Sequence, residues 1–206
     1  MEPEFSTFTD PRDGRTYRTV KIGNQEWFAE NFDYDCPGSA VYENKTENET
    51  RYGRLYTWAE LMGFDGKMND NVAFTTDEER GATYRGIAPE GWHIPSDAEW
   101  KELKAYVDSI ADTEFGTALK SRKGWKKDPD GCPAGADEVG FNALPSGRHM
   151  PNGEYLYGGK GAHFWTSTEV DKVYAIRWGG TYAGEDFTGF RTYKAQALAL
   201  RLVKDR

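Results

Sequence analysis

An α+β fold is predicted for this 206-residue chain by three features. These are a hairpin signal near the N-terminus, one strongly amphipathic helix at 97–110, and a glycine- and aromatic-rich second half without helical periodicity. The hairpin comes first. Asp13-Gly14 is a turn signal, after which Tyr17, Thr19 and Lys21 alternate with Arg18, Val20 and Ile22. Gly23-Asn24 then turns the chain into a returning strand, Gln25–Phe28.

The polar stretch 43–51 (ENKTENETR) reads as a solvated loop, and 56–62 (YTWAELM) as a short helix stopped by Gly63. The central helix has the clearest start signal. In Ser96-Asp97-Ala98-Glu99 the serine hydroxyl and the glutamate carboxylate can each satisfy a free backbone N–H of the first turn. Trp100, Leu103, Val107 and Ile110 follow as one apolar stripe. A shorter helix is expected at 114–121. Beyond Gly124 the strand candidates are 140–144, 162–167, 173–178 and 197–203. In the last of these Leu198, Leu200 and Leu202 share one face, with Ala199 and Arg201 opposite. No shift of composition marks a linker, so residues 1–206 are expected to form a single domain.

Composition narrows the function classes. There are 34 acidic against 26 basic residues, a net charge of -8, and a pI near 5.0. That balance argues against nucleic acid, which needs a basic footprint. The sequence contains no apolar run long enough to span a bilayer. No charged-then-apolar leader precedes Phe5, so an export signal is expected to have been removed or never present. Cys36 and Cys132 are too few for a disulfide scaffold or a zinc ribbon. They could close one long loop, with a gain of about 4–5 kcal/mol in the chain-entropy treatment, or remain two thiols.

Catalytic and metal chemistry find little support. His93, His149 and His163 are isolated and lack metal-ligand spacing, which favours packed or hydrogen-bonded structural roles. Ser146 and Ser167 have no neighbouring base readable from sequence. Calcium is the more serious cofactor candidate. Asp65, Asn69, Asp70 and Asn71 crowd one loop, and Asp128 and Asp130 another, as hard oxygen donors for Ca²⁺ would. Turn formation through side chain to backbone hydrogen bonds explains the same residues and is preferred. No cofactor is therefore expected.

The strongest functional lead is 174–193 (YAIRWGGTYAGEDFTGFRTY), where Trp178, Tyr182, Phe187, Phe190 and Tyr193 are interspersed with Gly179, Gly180, Gly184 and Gly189. Rings spaced by glycines are expected to be partly displayed on loops beside charged groups, a surface suited to a sugar or a protein. The candidate ligand-binding residues are Arg177, Trp178, Tyr182, Asp186, Phe190 and Arg191. The competing reading is an aromatic core closed by tight turns.

Five phrases, in order, carry a family resemblance. They are DGRTYRTVKIG with QEWFAEN (13–31), YGRLYTW (52–58), PEGWHIPS (89–96), GFNALPSG (140–147) and FWTSTE (164–169). Together they resemble the Fibrobacter succinogenes major paralogous domain over nearly the whole chain. The resemblance implies a fold of the C-type-lectin-like and formylglycine-generating-enzyme group, with N- and C-terminal strands adjacent. It also implies a bacterial, exported protein, extracellular or at the cell surface. The copper-binding cysteine pair of the formylglycine-generating relatives has no counterpart in the strand-rich half. Family members often carry cysteines where Ala88 and Leu202 stand here, which implies apolar packing in place of a bridge. The expected function is non-catalytic binding of a polysaccharide or a surface protein through the C-terminal aromatic loops. A retroelement-diversified receptor-binding protein and a structural adhesion module without a dedicated ligand are the alternatives.

Overall fold

Short apolar alternations set apart by turn residues build several small antiparallel sheets rather than one large one. The computed structural model describes residues 2–132 and 135–206. Strands β1 (Glu4–Thr9), β2 (Thr16–Ile22) and β3 (Gln25–Phe28) form an N-terminal meander, and β2 and β3 lie where the turn signals put them. β1 escapes sequence reading because it is almost wholly exposed and has no apolar alternation. The next elements are β4 (Ala40–Val41), α1 (Thr46–Tyr52), β5 (Arg54–Leu55), α2 (Trp58–Met62), α3 (Asp77–Gly81) and β6 (Trp92–His93).

The expected loop at 43–51 is thus largely a helix. Only Tyr52 of α1 is buried, so no apolar period exists to reveal it. The helix ends at Gly53, whose φ of 66° suits glycine, and an ion pair of 2.8 Å joins Glu49 to Arg54 just beyond that end. The helix expected at 56–62 begins two residues later, at Trp58, because Thr57 caps it through a reciprocal pair with Glu60. Gly63 stops it in the left-handed conformation, as its position predicts.

Helix α4 (Asp97–Ile110) has the predicted bounds and start: Ser96 N donates to Glu99 Oε2 at 2.8 Å, and Glu99 N to Ser96 Oγ at 3.3 Å. Trp100, Leu103 and Val107 are buried, whereas Ile110 at the final turn is exposed. Helix α5 (Phe115–Leu119) follows, inside the expected 114–121. The second half comprises β7 (Ser146–His149), β8 (Tyr155–Gly158), β9 (Gly161–Glu169), β10 (Tyr174–Thr181), β11 (Thr188–Tyr193) and β12 (Val203–Lys204). Residues 140–144 are not a strand; a single parallel bridge joins Ala143 to Lys120.

The larger sheet runs β1-β2-β3-β12-β6 and a second runs β11-β10-β9; β4-β5 and β7-β8 are separate ribbons. Both chain ends therefore share one sheet, but the final strand lies between β3 and β6, while β1 occupies the far edge. The expected adjacency of the terminal strands is corrected to that extent. The alternation expected at 197–203 holds in its facing. Leu198, Leu200 and Leu202 enter one apolar cluster, with Trp58, Trp165 and Phe28, and Ala197, Ala199 and Val203 enter the other, around Trp100. Pairing there is mostly by isolated bridges, from Tyr56 to Leu198, His149 to Ala197 and Phe164 to Ala199, so the segment is a strip between two cores rather than a ladder. Ala88 and Leu202 are both buried in the first cluster.

Arg201 is fully enclosed in this strip. Its guanidinium donates to Asn31 Oδ1 at 2.8 Å and to the carbonyls of Phe28, Phe141 and Asn142 at 2.9, 2.6 and 2.8 Å. Burial pulls its pKa down to about 9, so it remains charged at neutral pH and is solvated by backbone dipoles. Lys194, also enclosed, is neutralised instead by Glu169 at 2.5 Å. Cys36 and Cys132 are free thiols, each half-buried, and burial pushes the Cys36 thiol upward.

Candidate functional site

Strand alternation gives the two faces of the β9–β10–β11 sheet different environments. On the inner face Trp178 lies opposite Phe164 in register. It stacks on Trp100 with ring centroids 5.7 Å apart and planes 8° from parallel, and its Nε1 donates to Asp97 Oδ1 at 2.8 Å. Trp178 is only 4% exposed and Phe187 1%. The expected display of Trp178 is therefore corrected: its indole is a core ring pinned to the first turn of α4. Its glycine neighbours serve close packing, since a Cβ on Gly189 would come within 3.2 Å of that indole nitrogen.

The outer face differs. Arg177 pairs with Phe190 in the β10–β11 register, and its guanidinium carbon lies 5.0 Å from the Phe190 ring centroid. Phe190 is 49% exposed. Beside them Arg148, from β7, lies 4.7 Å over the Tyr157 ring and donates to Gln196 Oε1 at 3.3 Å. Tyr157 meets the buried His163 edge-on at 5.9 Å. Glycines make this packing possible. A Cβ on Gly179 would come to 2.7 Å from Arg177 Nη1 and 2.8 Å from His163 Nδ1, and one on Gly161 to 2.7 Å from His163 Nε2. Tyr157, a non-glycine residue, holds a φ of 64°, a conformation that concentrates at functional sites.

Unsatisfied polar groups gather on this patch, although the core also holds one in Trp100 Nε1. Arg148 Nε, Arg177 Nε and Nη1, and both ring nitrogens of His163 are buried without a hydrogen-bond partner. Neither arginine has a carboxylate within ion-pair distance among the described residues. Burial, reinforced by Arg148, pushes Arg177 down to about 10. Burial and the two guanidiniums hold His163 well below its ordinary value, so it is neutral near pH 7. The patch thus presents positive charge beside an open ring, with no nucleophile activated by a base.

The remaining expected residues lie elsewhere. Arg191 is on the opposite face of β11, paired with Asp171 at 2.8 Å and 4.7 Å over the Tyr174 ring. Tyr193, 52% exposed, packs against that same tyrosine. Tyr182 is half-buried on the wall of a basic pocket, and Asp186 is exposed in the preceding turn region of β11. Of the six expected residues, the structure brings together only Arg177 and Phe190. Arg148, Tyr157 and His163 were missed. The first two lie on a hairpin that sequence reading did not identify, although alternation in 162–167 does put His163 opposite in facing to Phe164.

The isolated histidines and the acidic loops have local explanations. His93 is clamped between Glu99 Oε1 at 2.8 Å and Asp205 Oδ1 at 2.7 Å, and His149 stacks on Tyr155. Asp65 accepts from Lys67 N, Asn69 from Ala59 N and Asp128 from Cys132 N, while Asn71 donates to the Lys67 carbonyl. No group of three or more His, Cys, Asp or Glu that could hold a metal occurs among the described residues. No helix among them is long and apolar enough to cross a membrane.

A strand-rich α+β scaffold of small sheets, bearing one under-satisfied arginine–aromatic face, is the class that these observations define. The chain belongs to the family described as the Fibrobacter succinogenes major domain, which matches residues 20–204. No curated protein and no solved structure matches it.

Proposed function

We propose that this is a non-catalytic binding domain of the bacterial cell surface, extracellular in location, that takes a carbohydrate on the Arg177–Phe190 face. In this reading the scaffold is C-type-lectin-like, in keeping with chain ends that share one sheet. The observation that carries the proposal is a half-exposed ring, Phe190, set beside the Arg177 guanidinium, whose Nε and Nη1 lack a protein acceptor. Flat apolar rings stack on sugar faces while neighbouring donors orient hydroxyls. A protein ligand is the second reading, favoured by β11 being the edge strand of its sheet, the position at which a partner strand would add.

A glycan array and a pull-down with the wild type and with Phe190→Ala test both readings. The expected result is a glycan signal that disappears in the variant while its melting temperature is unchanged. Equal glycan binding by the two proteins would overturn the assignment of this face, and a signal confined to protein ligands would replace the first reading by the second.

A further inference from the structure

Elsewhere in this acidic chain cations are commonly neutralised: Lys101 by Asp97, Lys104 by Asp108, Arg206 by Glu102. The segment after α5 breaks that pattern. Lys120, Arg122, Lys123, Lys126 and Lys127 have no carboxylate within ion-pair distance among the described residues, yet all line one pocket of about 250 Å³. Its aromatic walls are Trp125 and Tyr182. Among the described lining residues the only carboxylate, that of Asp128, is already engaged by the N–H groups of Asp130 and Cys132.

The pocket is held in shape by its own hydrogen bonds. Trp125 Nε1 donates to Ser121 Oγ at 3.1 Å, and that hydroxyl donates to the Lys123 carbonyl at 2.9 Å. Lys126 N donates to Gly159 O at 2.7 Å, and Tyr182 N to Lys160 O at 2.8 Å, which ties both walls to the β8–β9 turn. At the base Lys120, 1% exposed, donates to the Gly184 carbonyl and lies 5.2 Å from the Trp125 ring centroid. Bringing like charges together around a preformed concavity costs free energy that a bound anion recovers.

We propose that this pocket binds one acidic unit of a saccharide, its carboxylate or sulfate among Lys123, Lys126 and Lys127 and its ring against Trp125 and Tyr182. Size favours a single unit, because the volume lies below the ~300–1,000 Å³ of drug-sized sites. A single-stranded nucleic acid fits less well: it needs a positive groove that tracks successive phosphates, on a less acidic chain. The site uses none of the residues of the Arg177–Phe190 face and stands or falls independently of it.

Calorimetry on the whole chain tests this with a carboxylated oligogalacturonate, a sulfated heparin-derived oligosaccharide, neutral dextran oligosaccharide and a single-stranded oligonucleotide. At least one acidic saccharide is expected to bind, more weakly as salt rises, while dextran does not; the preferred probe identifies the anion. The double substitution Lys123→Glu and Lys126→Glu, on exposed side chains, is expected to weaken that binding by about tenfold or more. The milder pair Lys123→Gln and Lys126→Gln serves if the charge reversal alters the melting temperature. Phe190→Ala is expected to leave acidic binding intact. Failure of both acidic saccharides to bind, unchanged affinity in the folded lysine variants, or tighter binding of the oligonucleotide would each overturn the proposal.

Discussion

Arg177 and Trp178 are neighbours in sequence, but they face opposite sides of one sheet and opposite kinds of surroundings. On the inner face Trp178 has ring neighbours and a hydrogen-bond acceptor, and the space around it is filled. On the outer face Arg177 has an aromatic neighbour and a buried imidazole but no acceptor for two of its N–H groups. The difference teaches that display cannot be inferred from ring content alone. What marks a candidate binding face here is polar capacity left unused next to exposed apolar surface.

The contrast can be broken most forcefully from its inner side. Trp178→Ala is expected to cost about 3–5 kcal/mol in denaturant unfolding, the range for removing a large enclosed ring; a loss below 1 kcal/mol would mean that the inner face is not a filled core. A loss of about 3 kcal/mol is expected for Lys194→Met, which removes the near cation from the buried Glu169 carboxylate and leaves it only Arg80, at 3.9 Å.

A smaller effect comes from the clamp around His93. Burial works to lower this pKa, but the hydrogen bonds and charges of Glu99 and Asp205 outweigh it and the net direction is up. The folded state therefore binds this proton more tightly than the unfolded state, whose value is near 6.5. Stabilisation from His93 is present in full below about pH 6.5 and is lost as pH rises through the higher folded value. Chemical denaturation of wild type and His93→Gln between pH 6 and 8.5 should show the wild-type decline flattened in the variant; equal slopes would remove His93 from this role.

Arg177→Met is expected to be neutral or to stabilise by up to about 1 kcal/mol, because it removes buried donors that lack partners. Set beside Lys194→Met, it compares a half-buried cation lacking a partner with an enclosed paired one, and a loss above 2 kcal/mol would show that Arg177 is satisfied in the protein. Phe190→Ala should change stability least, within about 0.5 kcal/mol, as expected of an exposed position.

Legibility in the sequence followed the strength of local signals. The reciprocal cap at Ser96 and Glu99 and the stripe from Trp100 to Val107 made α4 readable residue by residue, and the turn pairs around 17–28 did the same for β2 and β3. Helix α1 was not readable, because its residues are polar on every side except at Tyr52 and its end is set by Gly53 and Arg54. The strip 197–203 showed its alternation but hid its setting. Alternation distinguishes two faces and does not reveal that apolar clusters cover both. At the site, the glycines of 174–193 read as loop formers, whereas Gly179 lies under Arg177 and His163 within a strand. The partners Arg148 and Tyr157 are distant in sequence, so only the tertiary fold could bring them to His163.

The strip between the two apolar clusters has a consequence for how the molecule is made. Residues 197–204 belong to both clusters and complete the larger sheet between β3 and β6. While a ribosome still holds that stretch in its exit tunnel, neither cluster can close, and the earlier elements wait with their rings in water. Folding of this domain therefore waits until that stretch has left the tunnel, and until then the apolar surface of both clusters is open to wrong contacts.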